Sequence, residues 1–134
     1  MPVKYLLDTN ICIYIIKKKP PEVLQKFNSF PVGEIGISSI TVAELKYGVQ
    51  KSQQSDRNEK ALEKFLIPLE IVNFDYRASI VYGKIRAELE ARGTPIGPLD
   101  NLIAAHALSL NVTLVTNNAR EFQRIPDLKV INWV

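Results

Sequence analysis

Cysteine and histidine are scarce in this sequence of 134 residues, which has one of each, and no hydrophobic run is long enough to cross a membrane. The single Cys12 excludes an internal disulfide framework and favours a reducing compartment. Catalysis by imidazole would have to use His106, which we expect to serve packing or an interface because it lies nearly two helical turns beyond Asp100. The sequence also offers no Ser–His–Asp arrangement and no glycine-rich phosphate loop.

The rest of the composition is that of an ordinary globular protein. Hydrophobic residues make up 46% of the chain and charged residues 23%, and the net charge of +3 fits a polyanionic partner. The length and the absence of a linker predict one domain, residues 1–134. Residues 1–4 lead directly into the first predicted strand and leave no room for a signal peptide, so we expect a soluble cytoplasmic protein.

Short apolar segments alternate with longer segments of helical periodicity. This alternation predicts an α/β fold of three layers around a mostly parallel sheet of four to five strands. In the helix predicted at 56–66, Asp56 and Glu59 have the spacing of a capping box. The predicted strands are 3–7, 34–37, 69–72, 112–115 and a strand or tail at 129–134. The predicted helices are one ending at 17–19, then 22–30, one from 38, 39 or 41 to 50, 56–66, 75–92, 98–109 and 118–123.

Three carboxylates follow predicted strands or open predicted helices. Asp8 ends the first strand, Glu44 lies early in the helix after the second, and Asp100 lies in the first turn of the helix that Gly97 and Pro98 begin. Ligands of open α/β sheets bind outside the carboxyl ends of the strands. Because strand ends and the following helix starts share one edge of a parallel sheet, we expect the three acids to converge there.

Each acid also has a purely structural interpretation. Asp8 could cap the following helix, Glu44 could form a capping box with Thr41, and Asp100 could gain about 0.3–1 kcal/mol from the helix dipole. Together, however, three carboxylates in one cleft repel one another unless a proton or a cation intervenes. Oxygen ligands without neighbouring histidine or cysteine select Mg²⁺ or Mn²⁺, which can activate water and bind a phosphate oxygen. The pattern therefore predicts a metal-dependent phosphodiesterase.

Four stretches of the sequence resemble the PIN-domain nucleases, specifically the VapC-type toxins of toxin–antitoxin systems. The resemblance implies a compact α/β/α fold, endoribonuclease activity with Mg²⁺ or Mn²⁺, a homodimer, and inhibition by a VapB-type antitoxin in a toxin–antitoxin hetero-oligomer. The stretches are Tyr5-Leu6-Leu7-Asp8-Thr9-Asn10, residues 37–48 around Ala43-Glu44-Leu45, residues 96–107 around Leu99-Asp100-Asn101, and residues 114–122 around Thr116-Asn117-Asn118.

By position, the resemblance makes Asp8 and Asp100 direct metal ligands and Glu44 a ligand or a residue that holds the water of the metal. Many PIN domains carry a fourth acid in a Thr-x-Asp pattern after the last strand, where this sequence has Asn118. An amide can orient water or contact a metal weakly, but it adds no charge, so a second metal is in question. Glu121 is near in sequence and could compensate, although we expect an exposed acid in a short helix.

Three basic residues are candidates for contacts with RNA. Lys46, Arg86 and Arg120 are expected near the acidic edge, where they would bind phosphate groups without selecting a sequence.

The sequence excludes two other classes of α/β protein and leaves one alternative to a nuclease. A haloacid-dehalogenase-type phosphatase needs a second Asp where this sequence has Asn10, and a receiver domain needs an acidic pair and a phosphorylatable Asp that are not present. The remaining alternative is a PIN-like module that binds RNA or an antitoxin without cleaving. The missing fourth acid supports that alternative, and the three acids present speak against it.

Overall fold

The computed structural model describes residues 3–134, so Met1 and Pro2, part of the segment on which the prediction about a signal peptide rests, lie outside the described residues. Among residues 3–134, no helix has the length and hydropathy to span a membrane. The strands are β1 (Tyr5–Leu7), β2 (Ile35–Ser38), β3 (Glu70–Val72), β4 (Thr113–Val115) and β5 (Val130–Ile131). The helices are α1 (Thr9–Lys17), α2 (Pro21–Asn28), α3 (Ser39–Gln50), α4 (Ser55–Leu66), α5 (Tyr76–Ala91), α6 (Pro98–Leu110) and α7 (Ala119–Phe122).

The five strands form one parallel sheet in the order β3-β2-β1-β4-β5. Leu6 of β1 pairs with Gly36 on one side and with Leu114 on the other. The chain builds the sheet outward from β1 through β2 to β3 and then returns to place β4 on the opposite side of β1. The strand order therefore reverses between β1 and β4, and the crevice beyond their carboxyl ends is the usual ligand position in such sheets.

Both faces of the sheet are covered by helices. Leu6 and Leu114 pack in a core beneath α5, α6 and α7, whereas Leu7 and Val115 pack in a second core beneath α1 to α4. Neighbouring residues of one strand thus serve opposite cores, as the period of two requires. The predicted three-layer α/β/α architecture is confirmed. Trp133, for which no role is predicted, is buried and stacks on Phe30 with ring centroids 5.3 Å apart.

Most helices begin at a capping side chain or a proline that the local sequence supplies, whereas α4 and α7 have no side-chain cap. Ser38, one of the three predicted caps of α3, accepts a hydrogen bond from the Ile40 N–H at 3.1 Å. The capping box predicted at Asp56 and Glu59 is wrong, because α4 begins at Ser55 and has no side-chain cap. Glu59 instead forms an ion pair with Lys46 of α3. The Glu59 carboxylate thus pairs with a residue of another helix, whereas the local sequence pattern predicted a contact at the start of its own helix.

Gly36 marks the closest approach between β2 and its neighbours. A Cβ atom at this position would lie 2.9 Å from Val3 Cγ1 and 3.2 Å from the Glu70 carbonyl oxygen. The second of these atoms is backbone, so β3 would have to shift to make room.

We predict that Gly36→Ala lowers the free energy of unfolding by about 1–3 kcal/mol through overpacking, whereas Gly83→Ala in α5 raises it by about 0.5–1 kcal/mol. Gly83 is the matched control because it is helical and a Cβ there meets nothing within 4 Å. Urea denaturation of both variants measures the difference. Equal stabilities would show that β2 tolerates a methyl group at position 36.

Candidate active site

Asp8 lies at the end of β1 and is held there by two neighbours. Its Oδ1 accepts a hydrogen bond from the Thr9 N–H at 2.7 Å, and its Oδ2 accepts one from the Thr116 hydroxyl, also at 2.7 Å. Thr116 follows β4, so this contact joins the two strands that flank the crevice. Asp8 also caps α1, which means that its structural and functional interpretations are both compatible with the structure. Its side chain is buried, with 6% exposure.

Glu44 is oriented toward Asp8 through Thr9. The Thr9 hydroxyl donates to Glu44 Oε1 at 2.9 Å, so Thr9 contacts both acids, Asp8 through its N–H and Glu44 through its side chain. The alternative in which Glu44 forms a capping box with Thr41 is wrong, since Ser38 caps α3 and Glu44 bonds to Thr9. The Thr41 hydroxyl is buried and makes no hydrogen bond within the part of the chain that the structure describes.

Asp100 lies in the first turn of α6, as predicted from Gly97 and Pro98. A Cβ at Gly97 would lie 3.6 Å from Asp100 Oδ2, and the Gly97 N–H donates to Glu121 Oε1 at 3.3 Å. The cap of α6 therefore lies beside the Asp100 carboxylate and donates to the carboxylate of Glu121, which comes from α7.

Glu121 is a fourth acid at this edge, and the expectation that it is simply exposed is wrong. It is half-buried between the Gly97 N–H and the Asn118 amide, whose Nδ2 donates to Glu121 Oε2 at 2.7 Å. Asn118 also donates its N–H to the Thr116 hydroxyl oxygen at 2.9 Å. The position that holds an acid in many PIN domains thus carries an amide that orients a carboxylate three residues later.

One signal in the sequence could have located Glu121. Asn118 and Glu121 occupy the N-cap and third positions of α7, which is the spacing of a capping pair at a helix start. The rule that selected Asp8, Glu44 and Asp100, an acid at a helix start after a strand, applies equally to Glu121. Because α7 is only four residues long, its start is hard to recognise in the sequence.

The four carboxylates act on one another electrostatically. The pKa of Asp100 is raised to about 6, first by burial and then by the charges of Asp8, Glu121 and Glu44. The pKa of Asp8 is raised by burial and by Glu121, against the opposing hydrogen bonds from Thr116 and Thr9. The site therefore carries more negative charge than its surroundings compensate, and a proton or a cation would relieve it.

The donor set suits a hard divalent cation. All four side chains offer carboxylate oxygens, which Mg²⁺ and Mn²⁺ prefer. Within residues 3–134, no group of three or more His, Cys, Asp or Glu side chains is arranged so that it could hold a metal ion as it stands. This arrangement is compatible with Mg²⁺, which usually keeps several waters and binds proteins through one or two carboxylates.

Two of the three predicted basic residues have carboxylate partners outside the four acids of the site. Lys46 forms ion pairs with Glu59 and Glu63 of α4, and Arg86 forms one with Glu90 at 3.0 Å. Lys46 and Arg86 thus already have carboxylate partners on the surface. Arg120 is exposed in α7, next to Glu121.

Comparison with known proteins places the site in a family. The family model of the PIN domain matches residues 5–128. The chain is 47% identical over 131 residues to a protein named tRNA(fMet)-specific endonuclease VapC from Salmonella typhimurium, with 98% of each chain covered. It is 49% identical over 135 residues to a protein named Ribonuclease VapC2 from Rickettsia felis, covering 96% of this chain and 97% of that one. The structure of DNA-bound VapBC from Salmonella typhimurium matches with a TM-score of 0.93 at 46% identity and covers 98% of this chain and 99% of that one.

We predict that Asp100→Asn stabilises the metal-free protein at pH 7 and does so to a smaller extent at pH 4.5. The Asp100 pKa rises from 3.8 to about 6 on folding, so the folded state binds the proton more tightly and stability falls as pH rises between these values. Asparagine mimics the protonated form, so the variant avoids that loss and should melt a few degrees higher at pH 7.

Thermal denaturation in EDTA at both pH values measures this effect, with the exposed Asp56→Asn as the matched control. A gain of equal size at both pH values would contradict the assignment of the repulsion to Asp100.

Proposed function

The chain belongs to the PIN-domain family, and on that premise we propose that it is the endoribonuclease toxin of a VapC-type toxin–antitoxin pair and that it depends on Mg²⁺ or Mn²⁺. The observation that carries this proposal is the grouping of Asp8, Glu44 and Glu121 around Asp100, whose pKa is raised to about 6 first by burial and then by these three charges. The names of the relatives, at 47% and 49% identity over nearly the whole chain, support RNA cleavage.

The four acids at the crevice would have different roles in binding a cation. Asp8 and Asp100 would be the direct ligands, since both have raised pKa values and flank the crevice. Glu44, fixed by the Thr9 hydroxyl, and Glu121, fixed by Gly97 and Asn118, would hold the waters that complete the shell. When bound, the cation supplies a lowered pKa for water and a positive charge beside the phosphate oxygen.

In this reaction the side chains of the protein itself orient the attacking water. The carboxylates accept hydrogen bonds from the attacking water and so direct its oxygen at phosphorus while one phosphorus–oxygen ester bond breaks. No imidazole takes part as a general base, because His106 is fully buried and turned to Ser38. Proton removal therefore rests on the acids themselves.

An apolar groove beside the acids fits the proposed antitoxin. It opens at Thr9 and Glu44, has a volume of about 390 Å³, and continues between α1, α3 and α4 over Ile13, Leu45 and Leu62. An extended or helical segment with apolar side chains would fill it, and a cationic residue at its end would reach the carboxylates. The structures of VapBC complexes among the relatives support such a partner. We also propose a cytoplasmic location, supported by the buried free Cys12.

The homodimer stays a prediction with one supporting feature. Tyr76 and Ile80, one turn apart on α5, have exposed fractions of 78% and 57%. Two large apolar side chains on adjacent turns form the kind of exposed stripe that a second subunit covers.

We predict that the purified protein, free of antitoxin, cleaves RNA at discrete positions with Mg²⁺ or Mn²⁺ and that EDTA or Asp8→Asn removes the cleavage. The variant keeps the shape of Asp8 and removes its charge, so activity should fall at least about a hundredfold. Sequencing of the fragment ends from total RNA measures the cuts, and Asp56→Asn is the matched control. A folded protein that makes no cuts with either metal would favour the non-cleaving module.

We predict that Glu121→Gln lowers the cleavage rate by about 10–100-fold and that Asn118→Ala lowers it less, because Asn118 acts by orienting Glu121. Single-turnover rates on one cleaved RNA compare the two variants with Glu88→Gln, an exposed acid of α5. If Asn118→Ala lost more activity than Glu121→Gln, the amide would be the functional group and Glu121 its support.

A further inference from the structure

His106 joins the helix that carries Asp100 to the helix that carries Glu44. It lies in α6, is fully buried, and places its Nδ1 2.8 Å from the Ser38 hydroxyl oxygen. Ser38 ends β2 and caps α3 by accepting the Ile40 N–H at 3.1 Å. One imidazole thus contacts the residue that fixes the start of the neighbouring helix.

The segment between β3 and α5 closes the same junction. The Phe74 ring meets the His106 ring edge-on, with centroids 5.4 Å apart at an interplanar angle of 74°. The Phe74 N–H donates to the Ser39 hydroxyl oxygen at 3.0 Å. His106 is therefore enclosed at the carboxyl ends of β2 and β3, on the edge of the sheet where the four acids lie.

The hydrogen bonds favour one tautomer of the ring. The Ser38 oxygen already accepts from Ile40, and its single proton can be donated to Nδ1, which leaves the ring proton on Nε2. Burial lowers the pKa of His106, whereas the Asp75 carboxylate and the Asn73 backbone oppose that effect. Asp75 itself caps α5 by accepting the Ala78 N–H. A neutral ring with Nδ1 as acceptor uses the Ser38 proton, and the opposite tautomer would leave that proton without this acceptor.

We propose that His106 is a positioning residue for the ribonuclease reaction, which holds the start of α3, and with it Glu44, at a fixed distance from Asp100 through the Ser38 hydroxyl. The proposal rests on the proposed function and adds a structural determinant of its acid cluster. Residues that orient ligands indirectly typically change metal affinity or activity by about 10–100-fold when mutated. A residue that only fills the core would change stability and leave both of these unchanged.

The tautomer is tested first on the wild-type protein, which avoids any dependence on variants that fold. Because the chain has one histidine, the ¹⁵N spectrum of a tag-free sample labelled at histidine needs no assignment. At pH 7.5 we expect a proton on Nε2, a bare Nδ1, and a shift of the Nδ1 signal in Ser38→Ala. Imidazole signals that do not respond to Ser38→Ala would overturn the proposal, because the contact between Nδ1 and Ser38 would then be absent.

The positioning role is tested with His106→Asn and His106→Gln, whose amides reach the places of Nδ1 and Nε2 respectively. Calorimetry measures Mn²⁺ affinity without RNA, and single-turnover cleavage measures the rate, both well below the melting temperature. We expect His106→Asn to stay within about threefold of wild type in both, and His106→Gln and Ser38→Ala to lose about tenfold in both.

The control is Ile85→Val, which removes a buried methyl group from α5 in the core that α5 shares with α6. If His106→Gln changed only the melting temperature, as this control should, or if His106→Asn lost as much as His106→Gln, the proposal would be refuted. A wild type that binds Mn²⁺ but cleaves no RNA would refute the proposed function instead. The ¹⁵N spectra and the Mn²⁺ affinities would still test whether His106 positions the acids.

Discussion

Repulsion among four carboxylates is the constraint on which the rest of this structure depends. Asp8, Glu44, Asp100 and Glu121 come from four different helices or their caps. Burial and then the charges of the other three acids raise the pKa of Asp100, and burial and the charge of Glu121 raise the pKa of Asp8. The fold opposes this repulsion with fixed donors: Thr9 donates to Asp8 and to Glu44, Thr116 donates to Asp8, and Gly97 and Asn118 donate to Glu121. These donors hold the acids without neutralising them. The charge therefore remains available for a cation, as catalysis by preorganised groups requires.

The layers of the fold make that arrangement possible. A parallel sheet brings every strand end to one edge, and helices on both faces bury most of the central strands β1, β2 and β4, so stability does not depend on the edge itself. The reversal of strand order between β1 and β4 separates the helices that follow them and opens the crevice. Thr116 spans this crevice to reach Asp8. The two central strands thus supply both the rigid support and the opening that a substrate needs.

Much of this arrangement can be predicted from the sequence because it is encoded locally. Asp8, Glu44 and Asp100 are each recognisable as an acid at a helix start beside a short apolar strand, and the parallel sheet then implies that they converge. Contacts between an acid and a partner elsewhere in the fold cannot be predicted from such local patterns. Glu59 has a capping spacing but pairs with Lys46, and Glu121 has an inconspicuous position but bonds to Gly97. In both cases one partner lies elsewhere in the chain, and only the contact of Glu121 with Asn118 follows a local spacing.

His106 shows how a buried polar residue can carry a functional constraint without touching the acids. A hydrophobic residue of similar size would fill the same space, but it would leave the buried Ser38 hydroxyl without its contact to Nδ1. Packing alone therefore does not account for an imidazole at this position. What the ring adds is a directional contact from α6 to the cap of α3. Apolar packing is non-directional and therefore fixes the distance between two helices only loosely. A hydrogen bond between α6 and the cap of α3 can fix this distance, and with it the distance between the acids that the two helices carry, more precisely.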